Sequence, residues 1–428
     1  MPEFLSLLPP DEALTLLLSH LLQTVTDSER IEVSSSLGRV LAEDIIAPHP
    51  LPDFRRSTVD GYAVRARDTH GASDSLPAYL KLNGEVPMGD APEFKVGAGQ
   101  CCLIHTGGMV PDGADAVVML EYTGQTGSDE IEVVRAVAEG ENMIRVGEDV
   151  AQGQVVLTKG SLIRPAEIGG LMALGITEVN VIAKVRVGLI STGDEVVDPS
   201  ESPRPGQVRD VNSYTLNALV EKAGGIAQLY GIVPDRFEAV KQIAGIALSE
   251  SDLVIITAGS SASTRDMTAD VIRSLGAPGV LVHGVNTRPG KPTILGACDG
   301  KPVIGLPGNP VSALVNGYLF VVPVIEKLLG MLPRPKPSVA ARLTVNLPSQ
   351  AGREDWWPVR LTTETPRHRD SKAVGNHASL PGKADFLAEP IFGKSNLIFT
   401  LASADGLLRI HADATGVSAG EVVEVFLL

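Results

Sequence analysis

The stretch "DLVIITAGSSASTRDMTADVI" (Asp252 to Ile272) decides the fold of the central part of the chain. Its apolar run "LVIIT" is typical of a strand buried on both faces of a sheet. The run stops at the small residues "AGSSAS", and the charged pair Arg265 and Asp266 leads into a helix-like segment. The residues alone leave two interpretations of this loop open: a site for an anion or metal, or a flexible connection.

Strand-like and helix-like segments alternate around this stretch, from about Lys184 to Gly330. The strand-like runs are "VRVGLI", "AQLYGIV", "DLVIIT", "VLVHGV" and "PVIGLP", and the helical segments include "NSYTLNALVEKAG", "PDRFEAVKQIAGIAL" and "NPVSALVNGYL". Alternation of nearly all-apolar strands with helices predicts an α/β domain, whose doubly wound parallel sheet has helices on both faces. Ligands of such sheets bind at the carboxyl ends of the strands.

Four loops directly follow strand-like runs and are therefore expected at this ligand-binding edge: "STGDEVVDP", "TAGSSASTRD", "NTRPGKPT" and "LPGNPVS". Together they bring small residues, hydroxyls, carboxylates and cations to one place. That mixture favours a phosphorylated ligand with a divalent cation.

Each loop also has a purely structural interpretation. Asn309 and Pro310 form a good helix start, whose N-terminus can favour an anion. Arg288 and Lys291 flank a stiff Pro-Gly turn in an acidic protein, which indicates phosphate or oxyanion binding, although a solvated turn is the alternative. The carboxylates Asp194, Glu195 and Asp266 can hold Mg²⁺ or serve as acid and base, but each alone is an ordinary cap or turn residue.

Composition limits the class of protein. A chain of 428 residues is expected to hold two to four domains. The formal charge of -15 argues against a general nucleic-acid binder, which needs a basic face. The three cysteines have no CxxC spacing and are expected to be packing residues in a reducing, cytoplasmic compartment. The N-terminus lacks a basic region typical of a secretory signal, and the apolar run "ALVNGYLFVVPVIEKLLGML" is interpreted as a buried helix.

The regions flanking the α/β domain are predicted to be mostly β. From about Pro48 to Arg145, short β-rich runs alternate with Gly/Pro turns, and the segment after "PRPKPS" (Pro333 to Ser338) predicts a small β-barrel or sandwich. Asp60, Thr106 and Asp149 all lie in segments that locally resemble simple turns. The adjacent Trp356 and Trp357 are interpreted as barrel packing more readily than as ligand-stacking residues.

Several motifs occur in an order that resembles the MoeA family, the molybdopterin molybdenumtransferases related to the C-terminal part of gephyrin. They are "STVDGYAVR", "HTGGMVPDGADAVVMLE", "RVGEDV", "STGDEVVDP", "RDVNSYTL", "RPGKPT" and "GLPGNPVSAL". The resemblance implies four domains: a discontinuous linker domain (1–47 and 146–183), a β-rich domain (48–145), an α/β molybdopterin-binding domain (184–332) and a C-terminal β-barrel domain (333–428). It also implies a homodimer with the active site between subunits.

The implied reaction inserts molybdenum, supplied as molybdate, into adenylylated molybdopterin and releases AMP with the help of a divalent cation such as Mg²⁺. An adenylylating enzyme would be a partner. By motif position the resemblance implies catalytic roles for Glu195, Asp60 and Asp266, with Glu195, Asp266 and Asp149 as metal ligands. The implied substrate-binding residues are Thr106, Asp235, Ser261, Arg288, Lys291, Pro307, Asn309, Pro310 and Ser395.

The chain departs from the family pattern in the loop after "LVIIT". The family usually has a sequence close to "GGVSVGDYD", and this chain has "AGSSASTRD", so that Ala258 and Ser263 replace glycines. Arg288 occupies a position where the family often has Lys, which keeps the charge but changes the geometry. The alternative to the enzyme is a non-catalytic molybdopterin-binding or scaffold protein of the same fold.

Overall fold

The computed structural model describes residues 7–21, 27–258, 262–363 and 386–428. The chain divides into two compact units. One unit comprises Met1–Glu29, Gly38–Val40 and Val181–Leu428, and the other comprises Arg30–Leu37 and Leu41–Asn180. The division into four domains with the boundaries given above stays a prediction.

The region from Ser28 to Ile182 consists mainly of short strands. These are β1 (Ser28–Glu32), β2 (Ile45–Ile46), β3 (Arg56–Ser57), β4 (Gly61–Val64), β5 (Ala78–Val86), β6 (Gln100–Ile104), β7 (Ala116–Met119), β8 (Thr123–Gln125), β9 (Glu130–Val133), β10 (Met143–Ile144), β11 (Val155–Leu157) and β12 (Glu178–Ile182), with helix α2 (Pro165–Ala173) between the last two. Six of these strands form one sheet in the order β7-β4-β6-β5-β9-β8. The predicted β-rich character is confirmed.

The neighbouring Cys101 and Cys102 show how this sheet is buried. Successive side chains of a strand point to opposite faces, so Cys101 packs with Val64 and Leu80, whereas Cys102 packs with Ala63 and a different cluster. Burial raises the pKa of both thiols to about 12, which keeps them protonated and unreactive. Their predicted packing role is confirmed.

The α/β region is preceded by helix α1 (Pro10–Ser19) and contains nine strands and five α-helices. They are β13 (Val185–Thr192), β14 (Val196–Val197), β15 (Val208–Arg209), α3 (Asn212–Lys222), β16 (Gly225–Val233), α4 (Phe237–Glu250), β17 (Leu253–Ala258), α5 (Ala262–Leu275), β18 (Pro278–His283), β19 (Thr287–Arg288), β20 (Ile294–Cys298), β21 (Lys301–Pro307), α6 (Pro310–Asn316) and α7 (Val322–Leu328), with a π-helical turn (Gly317–Val321) joining the last two helices.

Six of these strands form the central sheet, in the order β16-β13-β17-β21-β20-β18. β16, β13, β17 and β21 are parallel neighbours, and α4 packs beside α5 while α3 packs beside α6. The predicted doubly wound parallel sheet is therefore confirmed, and two further strands extend it with antiparallel pairings. β20 runs antiparallel to both β21 and β18.

A two-residue turn explains the reversal. Cys298 pairs with Lys301 across Asp299 and Gly300, which have φ values of 51° and 83°. Two positive φ values in succession are the requirement of a type I′ hairpin, for which Asp-Gly is a preferred sequence. The short "ILGAC" strand before this turn was missing from the sequence interpretation.

The C-terminal region forms the predicted barrel. Its strands are β22 (Ser338–Leu343), β23 (Leu347–Pro348), β24 (Glu354–Thr363), β25 (Phe386–Pro390), β26 (Gly406–Ile410), β27 (Gly416–Val417) and β28 (Val422–Leu427), with helix α8 (Phe399–Ala402). The pairing order β24-β25-β22-β28-β26 returns to β24 and so closes a five-stranded ring. Closure leaves no free edge within this ring.

The long apolar helical run Pro310–Leu328 lies within the α/β region. It is 19 residues long and apolar enough to cross a membrane, but 61% of an 18-residue stretch of it is buried inside the protein. The core helix of a soluble protein can have the same length and composition, and this segment was predicted to be a buried helix. One such run is therefore weak evidence for a membrane span.

Replacing Ile255 by Ala tests the central sheet. Ile255 is fully buried in β17 and lies between Leu189 and Ile304 of the neighbouring strands. The cavity left by the substitution should lower the free energy of unfolding by about 2–5 kcal/mol, measured as a lower urea midpoint. Ile226→Ala, on the edge strand β16 where the side chain is 53% exposed, is the matched control and should change the midpoint little.

Candidate active site

The carboxyl ends of β13 and β16 bring three carboxylates together. Asp194 and Glu195 follow β13, and Asp235 follows β16, two residues after its end. The Asp235 backbone N–H donates to Asp194 Oδ1 at 3.3 Å, which ties the two loops to each other. Asp194 and Glu195 are exposed, whereas Asp235 is partly buried.

The surroundings of Asp235 disfavour its ionised form. Burial raises its pKa above the ordinary 3.8, and the like charges of Asp194 and Glu195 raise it further, while the nearby Thr192 hydroxyl offsets the shift only in part. Neither Asp235 Oδ1 nor the buried Thr192 Oγ1 forms a hydrogen bond within the described residues. A buried acceptor without a well-placed donor is costly, so this loop carries a local energetic penalty.

The loop after β17 is only partly described. Asp266 lies in α5 and is exposed, whereas Ser261 falls outside the described residues. The predicted roles of Asp266 and Ser261 therefore stay predictions. Among the described residues no group of three or more His, Cys, Asp or Glu side chains is positioned to hold a metal ion.

A cavity of about 700 Å³ lies beside the end of β21, between the α/β region and the barrel. Five of the predicted substrate-binding residues line it together: Arg288, Lys291, Pro307, Asn309 and Ser395. Sequence reasoning gave no site role to the further cations Arg353 and Lys394, to the polar Ser312, Asn396 and Thr400, or to the two tryptophans. Four positively charged side chains therefore line one cavity of a chain of net charge -15, a concentration of positive charge that favours an anionic ligand.

Backbone pairing fixes the loop that carries Arg288 and Lys291. β19 pairs in parallel with the start of β24, which places Thr287 opposite Glu354 and Arg288 opposite Asp355. The Glu354 N–H also donates to the Asn286 carbonyl at 3.1 Å. A Cβ atom at Gly290, which has a φ of 105°, would overlap the buried Asn316 side-chain amide, so the turn requires glycine here.

The helix start after β21 differs in one respect from the prediction. Asn309 occupies the N-cap position of α6 and Pro310 the first helical position, but the Asn309 side chain makes no capping hydrogen bond. That side chain instead lines the cavity. The Val311 N–H donates to the Ser395 carbonyl at 3.0 Å, so a barrel residue already uses one of the free donors of the helix start.

Trp356 and Trp357 combine packing with cavity lining. Trp356 is 8% exposed, packs on Phe426 at a ring distance of 5.6 Å and donates from Nε1 to Glu354 Oε1 at 2.7 Å. Trp357 packs its edge against Phe392, and the Arg288 guanidinium lies 5.4 Å from its ring centre. The predicted packing role is confirmed, and both tryptophans also line the cavity.

The other unit holds three further predicted residues. Asp60 Oδ1 accepts hydrogen bonds from the Thr106 backbone N–H at 2.8 Å and from the Thr106 hydroxyl at 3.2 Å. The Thr106 backbone bond is the main reason that the pKa of Asp60 is lowered below 3.8, and His105 contributes a smaller part. Asp60 is therefore held ionised and oriented, while the exposed Asp149 lies in a bend.

Comparison with known proteins accounts for nearly the whole chain. The profile of the MoeA N-terminal region (domain I and II) matches residues 8–175, that of a probable molybdopterin binding domain matches residues 188–327, and that of the MoeA C-terminal region (domain IV) matches residues 340–428. A putative molybdopterin biosynthesis protein of Methanocaldococcus jannaschii is 37% identical over 96% of this chain and 95% of its own length. Molybdopterin molybdenumtransferase 2 of Mycobacterium tuberculosis is 34% identical over 92% and 94%.

Solved structures give the same result for the fold. A molybdopterin biosynthesis moeA protein from Pyrococcus horikoshii OT3 superimposes with a TM-score of 0.82 at 34% identity, covering 99% of this chain and all of that one. A second structure of a moeA protein from the same species has a TM-score of 0.74 at 36% identity and covers 99% of both chains. The predicted fold class and family resemblance are thereby confirmed.

Replacing Asp235 by Asn tests the electrostatic cost at this edge. Because the folded-state pKa is raised, ionised Asp235 destabilises the protein above that pKa, and the penalty vanishes as the pH falls to the ordinary value of 3.8. Asp235→Asn should therefore raise the melting temperature at pH 7 by about 2 °C, and the gain should disappear on acidification. Asp198→Asn is the matched control, because Ser200 lowers the pKa of Asp198; a gain of the same size there would contradict the explanation.

Proposed function

The chain belongs to the MoeA family, and we propose that it is a molybdopterin molybdenumtransferase, an enzyme of molybdenum cofactor biosynthesis. It inserts molybdenum from molybdate into adenylylated molybdopterin and releases AMP. Curated relatives that match more than nine-tenths of the chain bear the name of this enzyme. The adenylylated substrate, the release of AMP and the help of a cation are proposed from the family resemblance.

The single observation that carries the proposal is the cavity lined by Arg288, Lys291, Arg353 and Lys394. Molybdate is a tetrahedral dianion, and guanidinium and ammonium groups are its natural donors. Ser395, Asn309 and Ser312 add neutral polar groups that can fix its orientation. The cavity is therefore the proposed molybdate site, with Pro307 and Pro310 shaping the loop and helix start beside it.

The carboxylates at the ends of β13 and β16 lie on the same edge of the sheet as this cavity. β13 and β21 are separated by one strand, so their ends lie roughly 10 Å apart. A ligand with a pterin, a phosphoanhydride and a nucleotide is long enough to reach both places. We assign Glu195 as the principal catalytic carboxylate, with Asp235 binding substrate beside it. Ser261 is assigned to substrate binding from the family resemblance alone.

The anhydride step needs one water and a base. Water adds to one phosphorus atom, the bridging P–O bond breaks, and the products are AMP and the molybdopterin phosphate. The proton of the attacking water passes to a carboxylate, for which Glu195 is the candidate and Asp266 and Asp60 are the supporting ones. Thr106 holds Asp60 in its ionised form through the two hydrogen bonds described above.

The carboxylates proposed here could hold a divalent cation such as Mg²⁺ only together with oxygen atoms of the substrate. Mg²⁺ is commonly bound by one or two carboxylates together with substrate phosphates, so a complete protein cage is not needed. Glu195, Asp266 and Asp149 are the proposed carboxylates. When bound, the ion would polarise the anhydride and neutralise charge on the leaving phosphate.

The remaining parts of the proposal follow from the family resemblance. The enzyme acts as a cytoplasmic homodimer in which the β-rich region of one subunit completes the site of the other. Asp60, Thr106 and Asp149 would then be supplied by the partner subunit's copy. An adenylylating enzyme supplies the activated substrate.

Replacing Lys291 by Met tests the molybdate site. The substitution keeps the length of the side chain but removes one charged donor, whose hydrogen bond is worth about 1.5–3 kcal/mol. Molybdate binding measured by titration calorimetry should weaken by about ten- to a hundredfold. Lys336→Met, at an exposed position that does not line the cavity, is the matched control; equal affinities of the two variants would remove Lys291 from the site.

Replacing Glu195 by Gln tests the catalytic assignment. The protein is mixed with adenylylated molybdopterin, molybdate and Mg²⁺, and release of AMP and formation of active cofactor are followed together. Glu195→Gln should still bind substrate and lose about 10²–10⁴-fold of turnover, the usual contribution of a general base. Tight substrate binding by the wild-type protein with neither product would instead support the non-catalytic scaffold.

A further inference from the structure

Asp355 is a buried carboxylate directly behind the cation-lined cavity. It is 1% exposed and lies in β24, opposite Arg288 in the parallel pairing with β19. It is not among the residues that line the cavity. Sequence reasoning gave it no role.

Two of the four cavity cations are held by this one carboxylate. Arg353 donates from Nε to Asp355 Oδ1 at 2.7 Å and from Nη2 to Oδ2 at 3.0 Å, which is a side-on bidentate pair. Arg288 Nη1 lies 3.8 Å from Asp355 Oδ2, and the same guanidinium lies over the Trp357 ring. The Arg353 side chain comes from the barrel and the Arg288 side chain from the α/β region, so Asp355 contacts one cation from each region.

The pair leaves part of each guanidinium available to a ligand. Arg353 Nη1 has only a 3.5 Å contact with Gln350 Oε1, at the limit of a hydrogen bond, and the Arg288 side chain is 54% exposed. Asp355 thus contacts only one side of each guanidinium group, and the other side can bind a ligand.

The neighbouring carboxylate shows that burial alone does not produce this arrangement. Glu354 is also buried, at 4% exposure, but its partners are Arg409 and the Trp356 indole, neither of which is a cavity cation. Adjacent residues of a strand point to opposite faces. One of the two carboxylates therefore serves the barrel wall, and the other contacts the cations of the cavity.

We propose that Asp355 is a positioning residue that holds Arg353 and Arg288 in the geometry that binds the tetrahedral oxyanion, a proposal that rests on the oxyanion-binding function given above. Long cationic side chains otherwise lose rotamer freedom when they bind a ligand. Holding them in place beforehand removes that cost from binding.

The direction in which Asp355→Asn changes the affinity for molybdate distinguishes a positioning role from a simple charge effect. Asp355→Asn removes a negative charge from the vicinity of the cavity, so Coulombic attraction alone would make a dianion bind more tightly. Positioning predicts the opposite, because the two arginines lose their anchor. We expect the molybdate dissociation constant, measured by calorimetry at fixed salt, to rise about tenfold, and the KM for molybdate to rise with little change in kcat.

Two control variants match Asp355→Asn in charge and in burial. Asp413→Asn makes the same change of net charge at an exposed barrel position, and Glu354→Gln neutralises the neighbouring buried carboxylate. Both should bind molybdate as the wild type does. Melting temperatures of all variants show whether each is folded.

Arg353→Lys provides a second test if Asp355→Asn does not fold. It keeps the charge of a partly exposed side chain but cannot form the side-on pair, so the affinity for molybdate should again fall about tenfold. Unchanged or tighter binding in whichever of the two variants is folded would overturn the positioning role. Absence of molybdate binding by the wild-type protein would instead overturn the proposed oxyanion site, and the positioning role with it.

Discussion

The two-residue parallel pairing between β19 and the start of β24 is the constraint on which the cavity depends. It brings the loop after β18, which belongs to the α/β region, against the start of the barrel strand β24. Strand pairing fixes register to a single residue, and a slip by one would turn every side chain to the other face. Arg288 would then no longer lie opposite Asp355, and Arg353 and Arg288 would lose their common anchor. Gly290 and the buried Asn316 hold the turn that follows in place.

Two neighbouring clusters of opposite charge lie on one edge of the central sheet. Carboxylates gather after β13 and β16, where Asp235 carries an electrostatic penalty, and cations gather beside the end of β21. Like charges lie close together in both clusters, and Asp355 offsets the repulsion only for Arg288 and Arg353. In the proposed reaction, molybdate would place negative charge beside the cations, and a divalent cation on the phosphoanhydride of the second substrate would place positive charge beside the carboxylates.

Much of the fold could be predicted because its signals are local. All-apolar runs of strand length, followed by small or polar loops and then by helical periodicity, indicated the doubly wound sheet and the edge on which its loops converge. β20 was missed because "ILGAC" is short and contains Gly296, yet Asp299-Gly300 was a readable hairpin signal. Arg288, Lys291 and Asn309 were found because each lies beside a turn residue that a strand-end loop requires.

The barrel's share of the site could not be predicted in the same way. Arg353 and Lys394 are separated in sequence from Arg288 by more than sixty residues, and only closure of the ring and the β19–β24 pairing bring them together. "GREDWW" showed charged residues next to an aromatic pair, but period-two alternation could not say which face would meet the cavity until the register was known. Asn309 lies at the N-cap position without the expected side-chain hydrogen bond, and the Val311 N–H donates to the Ser395 carbonyl instead. Local sequence thus determined the elements of this site, while the pairing of two distant strands determined which charges share it.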